Sequence, residues 1–148
     1  MIQIQSLMEV DGKLIPVEEF AGPLRDEDYI DGTIEMIVDH KPVLSRQQVD
    51  LVDQLWAYLI DGLAELIEGR AFTTYYPDMP VKVTMTPKGR MVHVHVDYKL
   101  GVREATVPLD ELRSAMIAAA RTYFEHMKPY TPSDSDEMLA KLAKLSPG

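Results

Sequence analysis

The chain contains no cysteine, which removes disulfides, thiolate nucleophiles and cysteine-ligated metals together. It has no apolar run long enough to span a bilayer. Its opening residues, MIQIQSLMEV, lack the basic flank and apolar block of a signal peptide. The expectation is a cytoplasmic protein without membrane association. Enzyme signatures are missing as well: there is no G-x-S-x-G, no phosphate-cradling P-loop, no G-x-G-x-x-G and no H-E-x-x-H. Catalytic groups can be assembled from distant positions, so this weighs against an enzyme without excluding one. Basic residues are scarce, with 15 Lys and Arg against 24 Asp and Glu and a formal net charge of −9. Phosphate neutralisation needs a basic surface, so nucleic acid is not expected as a partner. Nothing in the chain calls for a cofactor.

What is present is the composition of a globular domain: 46% hydrophobic and 26% charged residues over a length of 148, enough for one domain with its own core. The dominant segment is Ser45–Gly69. Its apolar residues, Val49, Val52, Leu55, Trp56, Leu59, Ile60, Leu63, Leu66 and Ile67, recur at the spacing of a helix with one broad buried face. Ser45 and Gln48 read as a capping box, and Gly69 as the residue that stops the helix. Gly62 falls inside the apolar face, where a close neighbour would explain its missing side chain.

Met1–Val10 alternates as a strand, Asp11-Gly12 turns it, and Lys13–Val17 returns. Gly32–His40 reads as a third strand, and His40-Lys41-Pro42 as the turn into the long helix. Ala71–Tyr76, Val81–Thr86, Arg90–Tyr98 and Leu100–Val107 follow as strands. Pro108 and Asp110 then open a helix to about Met127, with Leu112, Met116, Ala119, Ala120 and Tyr123 inward. Pro129 and Pro132 set off a short final helix, Ser133–Leu145. Short hairpin connections favour antiparallel pairing. The expectation is an α+β domain over residues 1–148: one mostly antiparallel sheet of about six or seven strands, covered on one face by two long helices. Residues 128–148 form a terminal extension carrying the short helix.

The negative charge is concentrated in the first half. Residues 1–68 hold fifteen acidic and four basic side chains, a net −11, whereas residues 69–148 come to +2. Asp26, Glu27, Asp28 and Asp31 crowd into one loop before the third strand. They lack the alternating ligand positions and closing glutamate of a calcium loop. Asp50, Asp53 and Asp61 form a second group on the long helix. An acidic surface attracts a basic partner and speeds its association.

One other cluster bears on chemistry. His93, His95 and Asp97 alternate along a strand and so share a face. Two imidazoles and a carboxylate could ligate zinc, iron or manganese, although Lys82, Thr84 and Thr86 of the paired strand would lie beside them. His126, near the end of a helix, suits the helix dipole without a catalytic role.

The segments Tyr29-Ile30-Asp31-Gly32-Thr33-Ile34-Glu35 and Val52-Asp53-Gln54-Leu55-Trp56-Ala57-Tyr58 resemble small acidic bacterial proteins of uncharacterised function, some of them similar to immunity proteins of toxin systems. The resemblance implies a protein-binding module and assigns no residue a role. The leading expectation is therefore a module, of immunity or inhibitor type, that binds a basic protein. The alternatives are a metal protein or metal-dependent enzyme built on the histidine face, and a homodimeric structural subunit.

Overall fold

A computed structural model describes residues 1–147; Gly148, the end of the expected domain and extension, lies outside the described residues. Strand β1 (Ile2–Val10) and β2 (Lys13–Pro16) form the expected hairpin, with Asp11 and Gly12 at φ 51° and 77° in its turn. A single 3₁₀ turn, Val17–Glu19, and a loop lead to β3 (Asp31–Val38), β4 (Lys41–Leu44) and the two-residue β5 (Asp50–Leu51). Helix α1 (Val52–Ile67) follows directly. The run β6 (Phe72–Tyr75), β7 (Lys82–Lys88), β8 (Met91–Asp97) and β9 (Val102–Pro108) comes next, then α2 (Leu109–Met127) and α3 (Pro132–Leu145).

The chain is α+β and its pairings are antiparallel, but the strands do not join in one sheet. Among the described residues they form a five-stranded sheet, in the order β2-β1-β3-β4 with β5 also on β3, and a separate four-stranded sheet, β6-β7-β8-β9. The division falls at α1, which separates β1–β5 from β6–β9. Hairpin signals identify neighbours along the chain but not which sheet a later run will join. Helix α1 packs on β3 and on β6, so it contacts both sheets, while α2 packs on β1 and β9. The two-helices-on-one-face arrangement is therefore replaced by helices that bridge the sheets. The third helix does not stand apart either. It lies on α1 and α2 with Met138 and Leu142 buried.

The long helix starts later than its apolar spacing implies. Ser45–Val49 joins β4 to β5 alongside β3, with which both strands pair, and there the Thr33 hydroxyl donates to the Gln48 carbonyl at 2.7 Å. Arg46 forks onto Glu35 at 2.7 and 2.8 Å. Ser45 makes no capping box: its hydroxyl accepts from Gln47 N–H at 3.2 Å, and Leu51 at the head of α1 gives no side-chain cap. The far end matches expectation, since Gly69 stands just past the helix at φ 81°. Gly62 is also accounted for. A Cβ there would come within 2.3 Å of the Phe72 ring, so the missing methyl lets β6 approach α1.

Trp56 is fully buried and donates its indole N–H to the Ser6 hydroxyl of β1 at 2.8 Å, a structural role. The inner face of the second sheet presents Val83, Met85, Val92, Val94 and Val96, all buried, to a continuous apolar cluster that also includes residues of the first sheet and all three helices. The sheets are pinned together at one corner. Tyr98 donates its hydroxyl hydrogen to the Val43 carbonyl at 2.6 Å and accepts from Ser45 N–H at 3.1 Å, while Arg103 donates to the Pro42 carbonyl at 2.9 Å.

Candidate protein-binding surface

The acidic loop is held at both ends and free in the middle. On the upstream side Phe20 is buried edge-to-face on Tyr130 with ring centroids 5.1 Å apart, and its carbonyl is 2.7 Å from His126 Nε2. His126 thus serves as an anchor for this loop. Downstream, Ile30 is buried and its carbonyl accepts from Val52 N–H at 3.0 Å. Between these anchors Asp26 accepts from Asp28 N–H at 2.9 Å, an Asx turn that shapes the tip. Asp26, Glu27, Asp28 and Asp31 are all exposed. The one base in the loop, Arg25, is directed to Asp11 at 3.7 Å and does not neutralise the tip. Tyr29 stands among these carboxylates with 63% of its surface exposed. Composition draws out the four acids of this loop but gives the aromatic no role. A tyrosine in a polar loop, between anchoring apolar residues, was the available signal.

The second acidic group does not assemble. Asp50 was expected on the surface, yet it is only 5% exposed. Its carboxylate accepts from Leu51 N–H at 2.7 Å and from Asp78 N–H at 3.0 and 3.1 Å, tying β5 to the loop before β7. The helix period assigned this residue to an outer face, but the helix has not begun there, and β5 turns the side chain inward. Asp53 is half-buried near Asp134 of α3, and burial above all, with Asp134 adding to it, holds its carboxyl above the ordinary aspartate range. Asp61 remains exposed, opposite Lys141 of α3 at 3.5 Å. Docking of α3 thus occupies the side of α1 that the acidic stripe was expected to offer.

His93, His95 and Asp97 do share the outer face of the second sheet. Their register partners are Thr86, Thr84 and Lys82 on β7 and Thr106, Glu104 and Val102 on β9. They do not gather as a metal set: among the described residues no three His, Asp or Glu side chains group so as to hold an ion. His93 sits 2.9 Å from both the Thr106 hydroxyl and Glu104, and Asp97 accepts from Lys99 N–H at 2.8 Å. Strand alternation placed the groups correctly, but β9 engages His93 through Thr106 and Glu104, and the following turn engages Asp97.

Among the described residues no helix is long and apolar enough to cross a membrane. Comparisons with family models, curated proteins and solved structures give no match.

Proposed function

We propose that the chain is a protein-binding module whose acidic loop, residues 25–31, engages a basic protein in the manner of a neutralising inhibitor. The observation that carries this reading is Tyr29, exposed on an anchored loop and surrounded by carboxylates with no cation at the tip. Exposed aromatics with a charged rim are a common form of binding hot spot. The carboxylates steer a cationic surface toward the loop, and the ring supplies contact area at small entropic cost. Because the loop is fixed at Phe20 and Ile30, little order is lost on association. The Tyr29–Glu35 and Val52–Tyr58 segments resemble small acidic bacterial proteins of uncharacterised function, some of them similar to immunity proteins, which agrees with a binding role.

The test begins with affinity capture on the immobilised protein at low and high salt, followed by titration calorimetry with the basic protein recovered. Reversing Asp26, Glu27 and Asp28 to lysine should flatten the salt dependence of that affinity. Tyr29→Ala should weaken binding about 10- to 30-fold, the range of a moderate hot spot. Both variants should keep the wild-type circular dichroism spectrum. Undiminished affinity in both would sink the proposal.

A further inference from the structure

Four strands stand at the ends of the two sheets: β2 and β4 in the first, β6 and β9 in the second. An exposed strand edge invites pairing, and charged residues or prolines along it discourage this. Three of the four are protected in that way. Strand β2 carries Lys13 and Pro16, β4 carries Lys41 and Pro42, and β9 carries Arg103 and Glu104. Strand β9 also meets β4, where Arg103 donates to the Pro42 carbonyl. Strand β6, Phe72-Thr73-Thr74-Tyr75, has neither charge nor proline, and all its residue types favour strands. Among the described residues no strand lies beside it on the side away from β7.

The pairing register shows which of its backbone groups face outward. Just past β6 the Tyr76 N–H donates to the Val81 carbonyl at 2.9 Å, toward β7. Alternation turns the backbone groups of Thr74 and Phe72 the same way and leaves those of Thr73 and Tyr75 on the open side. The β7–β8 hairpin gives the same phase. Its two-residue turn closes on Lys88 and Met91, which exchange both bonds, so Thr84 and Lys82 bond to β8 and Val83 is left for Thr74. The side chains of Thr73 and Tyr75 are exposed, the tyrosine by 51%. Phe72, on the other face, packs against Gly62 and holds the strand on α1.

We propose that β6 pairs antiparallel with β6 of a second copy of this chain, joining two four-stranded sheets into one of eight. A two-fold axis at Thr74 sets Thr73 of each copy opposite Tyr75 of the other. Both pairs then exchange two main-chain hydrogen bonds, four in all. On the outer surface each Tyr75 ring lies beside a threonine, an aromatic and β-branched pair that sheets favour. The same axis brings the exposed Arg70 before one strand toward the exposed Asp78 after the other, twice over. Arg70 meets Glu65 through Nε, and its terminal nitrogens donate to nothing among the described residues. The Asp78 carboxylate likewise forms no ion pair among them. Registers two residues away lose this match. One aims Asp78 at Glu68; the other sets Thr73 against Pro77, which has no N–H. The contact also falls in residues 69–148, with a net charge of +2, and so avoids the half at −11. It is separate from the acidic loop and does not depend on the reading of that loop.

Sedimentation equilibrium of the full chain should show monomer and dimer between about 10 µM and 1 mM, the range for a small interface. Thr73→Pro removes an outward N–H, leaves the ladder to β7 intact, and should weaken association about tenfold. Arg70→Asp should weaken it roughly threefold, and adding Asp78→Arg should restore it. Because the chain has no cysteine, one introduced thiol reads the position of the axis. On mild oxidation Thr74→Cys should give a covalent dimer faster than Thr73→Cys, although Thr73 is the more exposed. A monomeric mass at every concentration would overturn the proposal. So would a dimer indifferent to Thr73→Pro. Faster cross-linking at position 73 than at 74 would overturn it as well, and this comparison stands even if the proline variant does not fold.

Discussion

Asp53 is the first-turn acid of α1 and also a charge that the fold makes costly. Burial raises its carboxyl above the ordinary range, and Asp134 adds to the effect; Asp134 is itself raised, chiefly by burial and then by Glu137, with Lys141 opposing. The buried Tyr123 hydroxyl near both acids has no hydrogen-bond partner. A raised folded-state value means that the native protein holds this proton more tightly than the unfolded chain does. The cost of ionising Asp53 is therefore fully present above its folded value and disappears as pH falls below the ordinary value of 3.8. Asp53→Asn should raise the melting temperature at neutral pH, and the gain should shrink to nothing as pH falls below 3.8. Thermal melts of both proteins across that window would check it. An equal gain at every pH would assign the effect to packing instead.

At the scale of elements, the Tyr98 hydroxyl joins β4 to the end of β8 by donating to Val43 and accepting from Ser45. Tyr98→Phe leaves a carbonyl and an N–H without this partner, at a cost of about 1–3 kcal/mol. Urea unfolding should show a lower midpoint with an unchanged slope. An unmoved midpoint would mean that water replaces the clasp without loss. From the sequence Tyr98 is only the last residue of a strand, because a bond between sheets leaves no periodic mark. Other elements differed in how far they could be read. The β7–β8 hairpin and α2 were evident, since alternation and a proline start are local signals. Strand β4 was not, because its turn, Asp39-His40, adopts positive φ at both residues without the usual Asn-Gly or Asp-Gly pair. The start of α1 was misjudged because Val49 fits the helix period while its neighbours bond to β3. The acidic loop could be found from composition alone. The burial of Asp50 could not, because it depends on the backbone of Asp78, 28 residues away.

For the whole molecule, one apolar cluster runs through both sheets and all three helices. Such a core should melt in a single step despite the division into sheets. Trp56, the only tryptophan, reports on α1 and β1, whereas far-ultraviolet circular dichroism reports on the whole backbone. Their urea transitions should superimpose. A separate fluorescence transition would show that the four-stranded sheet is an independent unit. The two sheets also differ in what each needs from the rest of the chain. Strands β6 to β9 each pair with the next in sequence, so that sheet requires no distant segment. Strand β1, by contrast, meets α2 through contacts such as Ile2 with Glu111, 109 positions apart. On a ribosome adding about 5–20 residues per second, Ile2–Ser6 is synthesised roughly 5–20 s before α2 begins to exist. Early in that interval β3 emerges and lines one side of β1, so only the other side stays bare until α2 arrives.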